Sequence, residues 1–142
     1  MSKEYLTLAA AAIAALTSVI SLLLNTRLTL TREKRSVLWK REVERLFEIE
    51  ELAGQAQEYA LDYRPTESKK ERFAPMRERL ELSAGRVSRY PELAKSLREL
   101  GHWGSIAASF GEGTEQVMEA RSEIPKHFAK ILHECDTITK RS

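Results

Sequence analysis

The chain has 142 residues, of which 31% are charged and 42% hydrophobic, and its formal net charge is +2. This length suits one domain, and the composition is that of a folded rather than a disordered chain. A nearly neutral charge argues against a dedicated nucleic-acid binder, which usually carries a large basic excess. The single cysteine, Cys135, excludes an intrachain disulfide and fits a reducing compartment or a core position.

The first element is an uncharged stretch from Tyr5 to Thr26. As a helix it would be about 33 Å long, against about 30 Å for the hydrocarbon core of a bilayer. Its strong hydrophobes are Leu6, Leu8, Ile13, Leu16, Val19, Ile20, Leu22, Leu23 and Leu24. At about −0.3 to −0.6 kcal/mol each, they favour insertion by roughly 3 to 5 kcal/mol. We therefore predict a single-pass transmembrane anchor over residues 1–26.

Two other interpretations of this stretch fit less well. A cleaved signal peptide has a basic start, a shorter apolar run and a small-residue cleavage site. Here Ser2-Lys3-Glu4 is nearly uncharged, and the run ends in three leucines. A buried core helix would show a polar face, which this stretch lacks.

The flanking charges predict the orientation. Only Lys3 precedes the apolar stretch, whereas a basic cluster follows it: Arg27, Arg32, Lys34, Arg35, Lys40 and Arg41. By the positive-inside rule, the N-terminus is outside and the C-terminal domain is cytoplasmic, at a plasma or bacterial inner membrane. We expect the basic cluster to face anionic headgroups and to set topology; a specific lipid-binding site is the alternative.

Small residues form a stripe within the predicted anchor. Its members are Ala10, Ala11, Ala14, Ala15 and Ser18. Such a stripe lets two helices approach closely, although alanine runs are common in anchors and no Gly-x-x-x-Gly motif is present. The stripe therefore predicts helix self-association as one alternative.

Residues 27–63 are predicted to form a juxtamembrane basic segment and a long amphipathic helix. Its apolar face is Leu46, Ile49, Ala53, Ala56, Ala60 and Tyr63. The Asn25-Thr26 pair predicts either a bend or an anchor that continues directly into this helix. Arg64-Pro65 should end it, because the residue before a proline avoids the helical region.

Residues 64–142 are predicted to supply the remaining helices. The second starts near Ser68, with a kink or a later start at Pro75, and carries Phe73, Met76, Leu80, Val87 and Tyr90, with Ser83 or Ala84 between. Pro91 opens the third at its first helical position. That helix carries Leu93, Leu97 and Leu100, and Gly101 is its expected cap.

Four glycines punctuate the stretch Gly101–Gly113, which we expect to be a loop with a short helical turn. Thr114 is the expected N-cap of a last helix that Pro125 kinks or splits. Its predicted apolar residues are Val117, Met118, Ile124, Phe128, Ile131, Leu132, Cys135 and Ile138. The predicted fold is all-α: one N-terminal transmembrane helix followed by a small antiparallel helical bundle.

The charge of the soluble part alternates along the chain. Residues 48–62 hold five acidic and no basic side chains, and residues 64–100 hold ten basic and six acidic ones. This pattern suits antiparallel packing with cross-helix ion pairs, which are worth under about 1 kcal/mol each.

A search for chemistry finds no catalytic constellation. His127 and His133 are six residues apart, and His102 could join them only through folding, so we expect no metal site. Cys135 lies on the apolar stripe, which favours core burial over nucleophilic chemistry. The Gly-x-Gly at Gly111–Gly113 lacks the lysine and the preceding strand of a phosphate loop. We therefore predict no cofactor and no small-molecule substrate.

The two tryptophans are candidate partner contacts. Trp39 follows the basic cluster, where it could lie at the membrane surface or anchor a partner. Trp103 would be a recognition residue if exposed, but we favour burial.

Three functions are consistent with these features. The favoured one is a membrane-anchored helical interaction module, such as a scaffold, adaptor or regulatory subunit, with the bilayer and a protein or a second copy as partners. The alternative is a membrane-acting effector, a toxin or defence component that oligomerises through its transmembrane helix. An enzyme is the least favoured, because no residues connect into an active site.

Overall fold

A computed structural model describes residues 2–62, 69–110 and 113–141. Within these ranges the chain forms four helices: α1 (Lys3–Leu61), α2 (Lys69–Arg86), α3 (Pro91–Ser109) and α4 (Glu115–Lys140). The all-α fold predicted from the sequence is therefore confirmed. The chain divides into two compact units, Met1–Glu42 and Val43–Ser142, and α1 contributes to both.

The first unit is helical from Lys3 onward, and none of its described residues is buried. The nine strong hydrophobes between Leu6 and Leu24 are each 55% to 69% exposed. The helix does not break at Asn25-Thr26, where a bend was one alternative. Instead, the Thr26 hydroxyl donates to the Leu22 carbonyl and the Thr29 hydroxyl to that of Asn25, both at 2.8 Å.

The second unit has a core to which all four helices contribute. From α1 the predicted residues Leu46, Ile49, Ala53, Ala56 and Ala60 are buried, as is Leu52, while Tyr63 lies outside the described residues. Small residues let neighbouring helices approach this face of α1: a Cβ atom placed on Gly54 would lie 3.9 Å from Cε2 of Phe128 in α4.

The contacts run in antiparallel register. Between α2 and α3, Phe73 lies against Gly104 near one end and Glu81 lies 3.8 Å from Arg98 nearer the other. Between α1 and α2, the rings of Tyr59 and Phe73 stack with centroids 6.3 Å apart. Short connections between successive helices produce this arrangement, as in other helical bundles.

The prediction of a loop over Gly101–Gly113 is wrong for most of that stretch. The third helix continues to Ser109, and Gly101 is a buried interior residue, not a cap. A Cβ on Gly104 would overlap the ring of Phe73, which itself is buried. These glycines therefore serve close helix packing rather than a turn. Among the glycines of this stretch that the structure describes, Gly113 alone, with a φ of 82°, adopts a conformation favouring glycine.

Helix boundaries agree in part with the predictions. Pro91 is at the start of α3, and the Thr114 hydroxyl caps α4 by accepting from Val117 N–H at 3.4 Å, as expected. Pro75 and Pro125 lie inside helices that are not split. Both prolines are exposed, so neither ring has to be accommodated in the core, and each helix continues past its proline. Arg64, Pro65 and Ser68, predicted to mark an end and a start, lie outside the described residues.

The buried stripe of α4 differs from the predicted one. It consists of Val117, Ala120, Ile124, His127, Ile131, Cys135 and Ile138. Met118 and Leu132 were expected on it but are 61% and 37% exposed, because each lies one residue beyond a stripe position. Phe128 is half-buried. In α2, Phe73, Leu80 and Ala84 are buried, whereas Met76 and Ser83 are half-buried. Val87 and Tyr90, predicted on this helix, follow its end at Arg86; Val87 is buried and Tyr90 half-buried.

Candidate membrane segment and interaction surfaces

The apolar part of α1 is long and apolar enough to cross a membrane, judged by length and composition alone. The core helix of a soluble protein can have the same composition, but such a helix is mostly buried. None of the most apolar window of α1 is buried. Its apolar side chains surround the helix on every side, so the aqueous exposure of this segment would be unfavourable.

Four hydroxyl groups in this segment, those of Thr7, Thr17, Ser18 and Thr26, donate to backbone carbonyls of the same helix. Thr17 donates to the Ile13 carbonyl at 2.8 Å, and Ser18 donates to the Ala14 carbonyl at 2.9 Å. Thr7 makes the same kind of bond to the Lys3 carbonyl at 2.9 Å. A polar group with an internal partner costs much less to transfer into hydrocarbon than one without. These residues are therefore compatible with a lipid environment.

The small-residue stripe is exposed along its length: Ala10, Ala11, Ala14, Ala15 and Ser18. No side chain larger than leucine interrupts this part of α1, and the stripe leaves the helix backbone accessible to a second helix.

The basic cluster is a collar rather than a stripe. All six residues, Arg27, Arg32, Lys34, Arg35, Lys40 and Arg41, are exposed and belong to the continuous helix α1. At about 100° per residue, their side chains are distributed around the whole circumference. Measured along the axis from Thr26, Arg27 is roughly 2 Å away, Arg35 about 14 Å and Arg41 about 22 Å, at about 1.5 Å per residue.

The tryptophans are partly accessible. Trp39, in the first unit, is half-buried. Trp103, which we expected to be buried, is also only half-buried: it packs against the core of the second unit and meets the ring of His102 edge-on, with centroids 5.4 Å apart. Each ring thus retains a surface that a partner could contact.

Cys135 is buried in the second unit, as predicted. Burial, assisted by the carboxylates of Glu50 and Glu134, raises the pKa of its thiol to about 12. Because the thiolate is the nucleophilic form, this thiol is unreactive near neutral pH. Among the described residues, no three histidine, cysteine or acidic side chains are grouped as metal ligands would be.

His127 is the buried histidine of the second unit's described residues. It is 9% exposed, and its Nδ1 has no hydrogen-bond partner among the described residues. Its Nε2 lies 3.5 Å from Glu123 Oε2. Burial lowers the pKa of His127, and Lys130 adds to that effect, whereas Glu99 and Glu123 oppose it. The neutral imidazole is therefore the form that the fold favours.

A groove between α1 and α2 was not anticipated from the sequence. It has a volume of about 220 Å³ and is lined by Arg45, Glu48, Ile49, Leu52, Arg79, Leu82, Ser83 and Arg86. Arg79 and Arg86 are seven residues apart, which places them on one face of α2. Only this spacing hinted at the groove, since the meeting of α2 with Arg45 depends on the tertiary packing.

Comparison of the chain with protein-family models, with curated proteins and with solved structures finds no match. Functional conclusions therefore rest on the residues and geometry of the chain itself.

Proposed function

We propose that the chain is a membrane-anchored helical interaction module: residues 5–26 cross the bilayer, and the second unit presents helical surfaces on the cytoplasmic side. The observation that carries this proposal is the contrast between an apolar helix with no buried face and a packed unit next to it in the chain. No described residue of the apolar window is buried, which supports lipid as its environment.

The basic collar supports the orientation. Arg27 and Arg32 fall within roughly 2 to 9 Å of the end of the uncharged stretch along the axis, which is the depth of the headgroup layer. Lys40 and Arg41 lie about 21 to 22 Å away, beyond the Debye length of about 8 Å. We therefore assign lipid contact mainly to the first four members of the collar. Lys40, Arg41 and Trp39 are then available to a protein partner or a second copy.

Membrane integration and orientation have a direct test. The full chain, expressed in a bacterial inner membrane, should resist extraction by alkaline carbonate. A C-terminal tag should be digested by protease in inside-out vesicles and protected in right-side-out ones. Extraction by carbonate, or the opposite protection pattern, would overturn the membrane part of the proposal.

The interaction itself is tested by a photo-crosslinking residue placed at Trp39 or Trp103 in native membranes. We expect a discrete adduct, with a protein or a second copy, from at least one of these positions. The control is Gln116, an exposed polar position at the start of α4. No adduct from either tryptophan position, or the same adducts from Gln116, would count against an interaction module.

The alternative of a conducting effector is less well supported. Conduction requires polar groups directed at a pore, and only Thr7, Thr17, Ser18 and Ser21 offer a polar stripe. Three of these, Thr7, Thr17 and Ser18, donate their hydroxyls to backbone carbonyls of the same helix. The small-residue stripe still permits self-association. Overexpression that dissipates the membrane potential, and no longer does so after Ala14→Leu, would favour the effector over the module.

A further inference from the structure

We infer that the groove between α1 and α2 binds a phosphate monoester through Arg45, Arg79 and Arg86. Three guanidinium groups from two helices line one groove of about 220 Å³. Within the described residues, no hydrogen bond or ion pair engages these three side chains. Arg98, by contrast, lies 3.8 Å from Glu81.

The positive charge of the groove favours an anionic ligand of matching charge. Three arginines and the single acidic residue Glu48 give a formal charge of +3 − 1 = +2. A phosphate monoester carries about −1.5 to −2 charge near neutral pH, which matches that value. Guanidinium groups bind phosphate oxygens in a bidentate geometry, and Ser83 adds a hydroxyl donor on the same side of α2.

The rest of the lining restricts the ligand further. Ile49 and Leu52 are buried and form an apolar floor, whereas Leu82 is 59% exposed at the rim. The volume is below the roughly 300–1,000 Å³ of pockets that hold drug-sized ligands. A compact phosphate monoester with a short apolar portion fits both facts. A soluble metabolite and a lipid headgroup of the phosphatidic acid type share this chemistry.

The groove does not depend on the membrane proposal, because every lining residue belongs to the second unit. Binding is therefore tested on the full chain in nonionic detergent micelles by calorimetry. The two probes are glycerol 3-phosphate, a soluble monoester, and dibutyryl phosphatidic acid, a short-chain lipid monoester. We expect saturable one-site binding of at least one, and the tighter probe identifies the source.

The decisive variant is Arg79→Gln/Arg86→Gln. We expect it to weaken binding by about a hundredfold or more, since each of the two lost charge-assisted hydrogen bonds contributes about tenfold or more. The matched control is Arg72→Gln/Arg77→Gln, which removes the same charge from the same helix outside the groove. It should change the affinity less than about twofold, given how salt screens distant charges.

The variant Glu48→Gln tests the opposite change, the removal of a negative charge from the groove. Removing the one carboxylate should leave the affinity unchanged or tighten it, because that group repels the anion. Thermal unfolding of each variant establishes that it is folded, which we expect because all three arginines are exposed. The inference is overturned if neither probe binds saturably at millimolar concentration, or if the control pair loses as much affinity as the groove pair.

Discussion

Leucines in the two units of this chain differ in their solvent exposure. Leu16, in the first unit, is 63% exposed, whereas Leu97, in the second, is fully buried. The difference follows from what surrounds each residue in the sequence. Around Leu16 apolar residues occupy every side of the helix; around Leu97 they recur at every third or fourth position, with charged residues between. The hydrophobicity of a residue alone therefore does not predict whether it is buried in the core. The spacing of the apolar residues around it does.

The same contrast is present within a single helix. Between Lys3 and Leu61, α1 changes from an apolar surface to a basic collar and then to an amphipathic face, without a break. These changes in the helix surface do not interrupt the backbone hydrogen bonds, because a helix satisfies its backbone groups internally in lipid and in water alike. Only the side chains change environment, so the two units can be perturbed separately.

The largest expected effect separates the two leucines directly. Leu97→Ala should lower the free energy of unfolding of the full chain by about 2 to 5 kcal/mol, because it leaves a cavity in a packed core. Leu16→Ala should leave that free energy unchanged within about 0.5 kcal/mol. Urea unfolding in detergent micelles, followed by tryptophan fluorescence, measures both. Equal destabilisation by the two variants would contradict the division into units.

A charge introduced into the first unit tests whether its apolar segment inserts into a membrane. Ile20→Arg should reduce membrane insertion by about 3 to 4 kcal/mol, since arginine at a helix centre costs about 2.5 to 3.5 kcal/mol and the isoleucine contribution is lost. Met118→Arg is the control, because Met118 is a similarly exposed apolar residue in the second unit. Carbonate extraction after expression should release the first variant more than the second. Identical extraction would place Ile20 outside the bilayer.

Glycines in the second unit give a smaller, graded effect. Gly104→Ala should destabilise the fold by about 1 to 3 kcal/mol, because the new methyl group overlaps the buried Phe73 ring. Gly85→Ala should stabilise it by up to about 1 kcal/mol, since nothing lies within 4 Å of the added Cβ and alanine favours helix. Gly101→Ala should fall between them, with ordinary contacts to Leu80. Thermal unfolding in micelles measures the order, and a neutral Gly104→Ala would refute the close packing of α2 on α3.

The smallest effect concerns pH. The folded state lowers the pKa of His127 below 6.5, so the unfolded chain takes up the proton first as the pH falls. Stability should therefore decline as the pH drops below about 6.5, until the folded-state pKa is reached. His127→Gln should reduce this slope, whereas His133→Gln, at an exposed position, should not.

Urea midpoints between pH 7 and pH 5 measure that slope. The groups facing His127 from α3 and α4 are Glu99, Glu123, Lys126 and Lys130. The hydrogen bond from Lys126 lowers the pKa of Glu123, so its carboxylate titrates below 4.5 and does not contribute in this window. An unchanged slope in His127→Gln would show that the imidazole is not held in its neutral form.

How much of this could be predicted depended on the range of the interactions. The apolar segment, the buried face of α1 from Leu46 to Ala60, and the Thr114 cap are local patterns, and the structure has each of them. The loop expected over Gly101–Gly113 was wrong because glycine has two uses, a turn or a close approach, and only the neighbouring helix decides between them. The groove of Arg45, Arg79 and Arg86 was missed for the same reason, since Arg45 on α1 is far in the chain from Arg79 and Arg86 on α2.

The sequence by itself determined the helical class, the one segment apolar enough to cross a membrane and the basic residues that follow it, because composition and period are properties of neighbouring residues. The tertiary structure alone decided that Gly104 receives the Phe73 ring, that the buried Nδ1 of His127 has no hydrogen-bond partner in the described part of the chain, and that three arginines share one groove. These features arise where two helices meet, and the distance between helices is set by packing across the core.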